Sequence, residues 1–306
     1  MKATGKPIYR TIETEGLSHR REKLFRVLED CTLCPRNCHV NRIKGELGYC
    51  KTGKKAIVSS YGPHYGEEFP LVGRYGSGTV FFTNCNLGCI FCQNYDISHL
   101  GRGTEMDPIE LASIFLKIQN FGCHNLNLVT PTHVIPQVIE ALEIAVEKGF
   151  SLPLVYNCGG YEAIASIMAL DKVVDIYMPD MKFMDDEVAF SLTGAKSYSK
   201  HVKESVKEMH RQVGDLKLTV EGIATRGLLV RHLILPEFLS GTEKVLEFIS
   251  KEISSNTYLN LMDQYHPCYL AKDHSALSRR IRPEEWREAV ALANKMGLAR
   301  LDSKVQ

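Results

Sequence analysis

Cys85, Cys89 and Cys92 stand close together in the run Thr83-Asn84-Cys85-Asn86-Leu87-Gly88-Cys89-Ile90-Phe91-Cys92-Gln93-Asn94, a C-x3-C-x2-C spacing. In a chain expected in a reducing compartment, clustered cysteines read as metal ligands before disulfides. Three thiolates can hold three irons of a 4Fe-4S cluster and leave the fourth iron open, whereas a cluster that only carries electrons normally takes four protein ligands. A zinc ion would need a fourth ligand as well, with Asp96, His99 or a water in that role.

A second group lies nearer the N-terminus, where Cys31, Cys34, Cys38 and Cys50 form C-x2-C-x3-C-x11-C within CTLCPRNCHVNRIKGELGYC. Four thiolates make a closed site, which suits either structural zinc or a fully ligated iron-sulfur cluster. The spacing does not choose between them. His39 is available as a substitute ligand, and free thiols acting as a redox switch are the alternative to metal. Cys123, Cys158 and Cys268 read as small buried apolar residues, although Cys158 falls at a strand end.

These groups need a scaffold, and 306 residues with 44% hydrophobic and 24% charged side chains supply one, excluding fibrous and disordered classes. The formal charge of +1 names no partner, but residues 1–60 carry 13 Lys and Arg against 6 Asp and Glu. A solvated basic face explains that excess; docking to an acidic partner or to nucleic acid is the alternative. No run of 18 residues is continuously apolar, and the opening MKATGKPIYRTIETEG lacks the apolar region of a secretory signal, so a cytoplasmic protein without membrane partners is expected.

From residue 79 onward, short β-branched or aromatic runs alternate with longer amphipathic stretches. Strands are predicted at 79–83, 126–130, 152–156, 173–178, 228–235 and 257–262, with a further one at 216–220 and another candidate at 298–301. Helices are predicted over 17–30 behind Ser18 as N-cap, from the cap Asp107-Pro108 to about Gly122, and over 134–148, 161–170, 198–213, 242–252 and 283–296. The segment 61–78 is rich in glycine. Six such strands imply parallel pairing, in an open doubly wound sheet or a βα barrel, with chemistry at the C-terminal strand ends.

Placed after the first of these strands, with Phe91 at an aromatic position before the last cysteine, the three-cysteine loop resembles the signature of the radical S-adenosylmethionine (SAM) superfamily. CNLGCIFCQN followed by Asp96-Ile97-Ser98 and the glycine-rich lead-in are similar to the pyruvate formate-lyase activating enzyme group. The resemblance implies a partial (β/α)6 barrel over 61–306, preceded by an N-terminal metal-binding extension over 1–60. It implies Cys85, Cys89 and Cys92 as ligands of a 4Fe-4S cluster whose open iron chelates SAM, and Phe91 against the adenine. Reductive cleavage would give a 5'-deoxyadenosyl radical that abstracts hydrogen from a substrate, with the cofactor supplying the difficult chemistry.

Other strand ends carry weaker matches. Thr130-Pro131-Thr132-His133 stands where the family usually has Gly-Gly-Glu, so Thr130 and Thr132 or their carbonyls would replace that contact, or merely form a turn. Tyr156-Asn157-Cys158-Gly159-Gly160 occupies the place of Asp-Thr-Asn-Gly and offers Asn157. Met178-Pro179-Asp180-Met181-Lys182 matches Asp-Leu-Lys, and the i, i+2 spacing of Asp180 and Lys182 points both side chains the same way. Arg231, in a strand ending at Pro236, and His266, in Gln264-Tyr265-His266-Pro267, complete the set of cofactor-binding candidates. The group also implies a reduced flavodoxin or ferredoxin-type electron donor and a glycyl position on a protein or peptide as substrate. The reading from another class is a non-catalytic iron-sulfur or zinc protein that transfers electrons or binds nucleic acid.

Overall fold

The computed structural model describes residues 6–12 and 14–302, without the side chains of residues 14 and 15. Its nine strands are β1 (Ala56–His64), β2 (Ser77–Phe82), β3 (Thr104–Met106), β4 (Leu126–Val129), β5 (Leu154–Cys158), β6 (Ile176–Pro179), β7 (Lys217–Leu218), β8 (Ala224–Leu233) and β9 (Tyr258–Met262). β2, β4, β5, β6, β8 and β9 pair in that order, all parallel. These are the six predicted strands. β1 lies antiparallel on β2, β3 on β1, and β7 on β8. β9 pairs with β8, at the far end of the order from β3 and β1. The result is the partial (β/α)6 barrel.

β1 was hidden by its composition, AIVSSYGPH, in which serine, glycine and proline weaken the strand pattern. Its second half pairs only with β2, leaving an open edge where Pro63 loses no ladder bond. β1 spans the boundary expected at residue 60. The N-terminal part shares the main core as well, since Tyr9, Leu17, Leu24 and Leu28 are buried in one cluster with barrel residues.

Helices Pro108–Asn120, Ile135–Glu147, Ile164–Ala169, Tyr198–Val213, Thr242–Phe248 and Pro283–Lys295 match the predicted ones, and Asp186–Thr193 was not anticipated. At the first, Asp107 accepts from the Glu110 amide and Glu110 from the Asp107 amide, both at 2.8 Å, a reciprocal cap. The N-terminal helix begins earlier than Ser18, at Thr14, and the Ser18 hydroxyl instead donates to Glu143. Residues 298–301 contribute a single bridge, Leu301 to Leu259.

Part of the basic N-terminal segment docks onto the barrel. Arg10 donates to Phe150 O, Arg20 to Ala169 O and Asp171 O, and Arg21 pairs with Glu143. These contacts strap the extension across the outside of the barrel. No helix among the described residues is long and apolar enough to cross a membrane.

Alternation along the strands sorts the barrel interior. Val155, Ile176, Met178, Leu229 and Tyr258 form a small buried cluster with Leu71, Leu216 and Ala224. Two residues further along β5 and β8, and two beyond Met178, the same faces carry Asn157, Arg231 and Asp180. An apolar floor therefore gives way to a polar wall at the C-terminal strand ends.

Candidate active site

The three-cysteine loop leaves β2 through Asn84 at φ +70° and Gly88 at φ +71°. Glycine suits position 88, because φ is positive there and a Cβ would displace the Tyr49 hydroxyl. Two donors already point at the sulfurs: the Leu87 amide to Cys85 Sγ at 3.3 Å and the Ser98 hydroxyl to Cys92 Sγ at 3.1 Å. Cys85, Cys89 and Cys92 line one side of a cavity whose other side is made by Asn157, Asp180, Lys182 and Arg231. Among the described residues, no three Cys, His, Asp or Glu side chains gather closely enough to hold one bare metal ion. The thiols ring a space instead.

Across that space the charges are locked together. Asp180 binds Lys182 Nζ at 2.5 Å through Oδ2 and Arg231 Nε at 2.6 Å through Oδ1. Arg231 also donates to Asn157 Oδ1 at 2.7 Å. Burial would raise the Asp180 pKa, but Arg231 and Lys182 outweigh it and hold the carboxyl below its usual range. Burial likewise opposes the charge on Lys182, and the neighbouring Asp180 carboxylate reverses the sign. The site thus presents one fixed anion between two cations, on strand ends that packing holds rigid.

Of the predicted cofactor-binding residues, Phe91, Thr130, Asn157, Asp180, Lys182 and Arg231 line this cavity, whereas Thr132 is buried with its hydroxyl donating to Glu162 at 2.6 Å. Phe91 is buried edge-on to Phe183 and Tyr265, with centroids 6.1 and 6.3 Å away. Thr130 takes φ +61°, the left-handed region, at the place where the resemblance put glycine. His266 stands on the rim, with Nδ1 3.2 Å from the amide nitrogen of Gln93, which does line the cavity. His39, considered as a ligand, pairs with Asp30 at 3.0 Å on the surface.

Several participants left no mark in the sequence. Glu68 lies behind Arg231 at 3.6 Å and accepts from Asn260 at 3.0 Å, and burial raises its pKa despite the guanidinium. Tyr198 accepts from the Lys182 amide at 3.0 Å and donates to Gly159 O at 2.9 Å, fixing two strand ends at once. Arg36, from the N-terminal extension, donates to Asn86 O and Leu87 O at 2.8 Å each, to Thr193 O at 2.9 Å and to Gly194 O. Its guanidinium stacks 3.7 Å above the Tyr49 ring. Only Ser98 could have been found, from its place just after the cysteine loop.

A profile of the radical SAM superfamily matches residues 79–229, which contain the loop, the cavity residues Asn157, Asp180 and Lys182, and three of the six parallel strands in full. The chain belongs to the radical SAM superfamily. It is 32% identical over 282 residues to the uncharacterized protein MJ0674 of Methanocaldococcus jannaschii, covering 89% of this chain and 76% of that one. A second uncharacterized protein of that organism, MJ0808, is 25% identical over 280 residues, covering 83% and 77%. Among solved structures, the FeFe-hydrogenase maturase HydG superposes with a TM-score of 0.51 at 10% identity, covering 96% of this radical SAM chain and 64% of the maturase, a likeness of fold alone.

Superfamily membership implies a 4Fe-4S cluster and SAM. The residues present fit both: three soft donors on one loop would hold a cluster through three of its irons, and the same cavity offers cations and side-chain amides to a zwitterionic ligand.

Proposed function

We propose that this protein binds a 4Fe-4S cluster through Cys85, Cys89 and Cys92 and uses it to cleave SAM reductively for hydrogen abstraction. The observation that supports the reading is the placement of three thiols of one loop opposite the Asp180–Lys182–Arg231 wall in a single cavity at the strand ends. When bound, the cluster and SAM together supply one-electron cleavage of the sulfonium–C5' bond, giving methionine and a 5'-deoxyadenosyl radical.

The chain's own residues bind and orient. Lys182 and Arg231 offer positive charge to a carboxylate, while Asp180 keeps them from swinging away. Asn157 and the strained backbone at Thr130 supply polar contacts, and Phe91 provides an apolar face for a base. Buried aromatic neighbours around Phe91 keep water from that side. A low-potential flavodoxin or ferredoxin-type donor would deliver the electron.

For the hydrogen donor we propose a glycyl position of a partner protein. The supporting features are the Asp180-Met181-Lys182 segment, Arg231 and a cavity lining that includes the exposed Asn94 and Gln264.

The test is 5'-deoxyadenosine formation by the anaerobically reconstituted, reduced protein with SAM, alongside Cys89→Ala. Product that vanishes in the variant supports the reading. Absence of product from protein shown to hold the reduced cluster, with candidate glycyl partners supplied, would favour the electron carrier instead. A glycine-centred radical signal in a partner after incubation tests the substrate class.

A further inference from the structure

The N-terminal cysteines are buried as a group against the barrel. Cys31, Cys34, Cys38 and Cys50 all line one cavity, together with Leu33, Arg36, Val40, Arg42, Tyr49 and His133. The turn that carries them is tied by Cys31 N to Val40 O at 3.0 Å and His39 N to Cys31 O at 3.1 Å. The Tyr49 amide points at Cys38 Sγ from 3.3 Å, the kind of N–H contact that stabilises a thiolate rather than a thiol.

Two polar groups on this wall lack a suitable partner. Arg42 is 1% exposed, and its guanidinium reaches only Gly53 O, at 3.0 and 3.2 Å, and Cys31 Sγ at 3.9 Å. A buried cation needs counter-charge, and four neutral thiols provide none. The Nε2 of His133 lies 2.8 Å from Thr83 O, which can only accept, so Nε2 carries the proton. Its Nδ1 is buried without a partner on the cavity wall. An anionic occupant supplies the counter-charge that Arg42 lacks, whereas the unprotonated Nδ1 of His133 can only accept.

Size separates the candidates for that occupant. Among the described residues, no three of these cysteine side chains gather closely enough to hold one metal ion. A zinc tetrathiolate needs four sulfurs about 2.3 Å from one ion. A cubane cluster bound by four thiolates spreads the sulfurs around a core and carries net negative charge.

We propose that this cavity holds a second 4Fe-4S cluster, ligated by Cys31, Cys34, Cys38 and Cys50, with Arg42 as its buried counter-charge. The inference does not depend on the reaction proposed above. The centre lies next to the catalytic loop: Tyr49 links the two, its amide on Cys38 Sγ and its hydroxyl 3.4 Å from Leu87 O, while the Leu87 amide points to Cys85 Sγ.

The experiment uses the full chain carrying C85A/C89A/C92A, reconstituted anaerobically with iron and sulfide. The expected result is about four irons and four sulfides retained per chain, with thiolate-to-iron charge-transfer absorption, lost when C34A/C50A is added. Arg42→Gln, which removes no ligand, should keep the cluster and move its midpoint potential negative. One zinc per chain without sulfide would overturn the proposal. So would a folded triple variant, checked by far-UV circular dichroism, that binds no metal, or iron that persists after C34A/C50A. A potential unmoved by Arg42→Gln would remove Arg42 from the site.

Discussion

The two cysteine groups use the same ligand chemistry but differ in what completes their cavities. Around Cys31, Cys34, Cys38 and Cys50 the wall combines Leu33 and Val40 with Arg36, Arg42, Tyr49 and His133, and it holds no carboxylate. Around Cys85, Cys89 and Cys92 one sulfur fewer is present, and Asn157, Asp180, Lys182 and Arg231 take the opposite side. The first arrangement is closed to a further ligand, and the second is built to receive one. The closed group also serves the open one, because Arg36 of the N-terminal segment grips the carbonyls of the catalytic loop.

The sharpest contrast is the ion-pair wall, which the closed site lacks. Asp180→Ala leaves the buried Lys182 without its counter-ion and Arg231 with only Glu68 at 3.6 Å, and should cost about 3–5 kcal/mol in urea unfolding. Asp180→Asn, which keeps the shape, should also cripple SAM binding. A loss below about 1 kcal/mol in Asp180→Ala would mean that the wall is solvated and that the two sites differ less than their linings suggest.

A second buried carboxyl sits just behind the open site. Glu162 accepts from Thr132 at 2.6 Å and from Tyr156 at 3.0 Å, and burial pushes its pKa up to about 7. The folded chain therefore holds a proton that the unfolded chain releases near its ordinary carboxyl value of about 4.5. Stability from this group is fully present below that value and is lost as pH rises toward 7, by up to about 3 kcal/mol. Unfolding free energies at pH 5.5 and 7.5 should show this extra loss in the wild type and its absence in Glu162→Gln. Parallel slopes for the two proteins would place the Glu162 carboxyl in an ordinary solvated state.

The open site was more legible in the sequence than its surroundings, for a physical reason. Cysteine spacing and the i, i+2 pair Asp180 and Lys182 are local, so short stretches of chain state them directly. The β/α alternation is local too, which is why all six parallel strands could be placed. Arg36 on Leu87 O, Glu68 behind Arg231 and His133 beside the N-terminal cysteines join positions far apart in the chain, and no local pattern announces such pairs. β1 was lost because its stability comes from pairing with β2 rather than from its own composition.

Arg36 is where the two regions meet, and its replacement tests whether one supports the other. The guanidinium fork satisfies carbonyls of Asn86, Leu87, Thr193 and Gly194 together, which the single ammonium of Arg36→Lys cannot do. The expected cost is about 1–2 kcal/mol. Hydrogen exchange should quicken at the amides of Leu87 and Gly88 and remain unchanged on β5. Unaltered exchange at the loop would make the N-terminal segment a passenger on the barrel.

The smallest effect concerns Thr130, which is proposed above as a polar contact of the open site. A β-branched residue at φ +61° is strained by about 1–3 kcal/mol, yet the chain holds it there, with the Thr130 amide on Asn157 O at 2.9 Å. Asparagine tolerates that region better, so Thr130→Asn should gain about 1 kcal/mol, a rise in Tm of about 2 °C. Affinity for SAM then separates two contacts that share one residue. Unchanged binding in the stabilised variant means that the backbone conformation is what the ligand reads and that any side chain tolerating it will serve. Weakened binding assigns the contact to the threonine hydroxyl and explains why the chain retains a strained residue where glycine would relieve it.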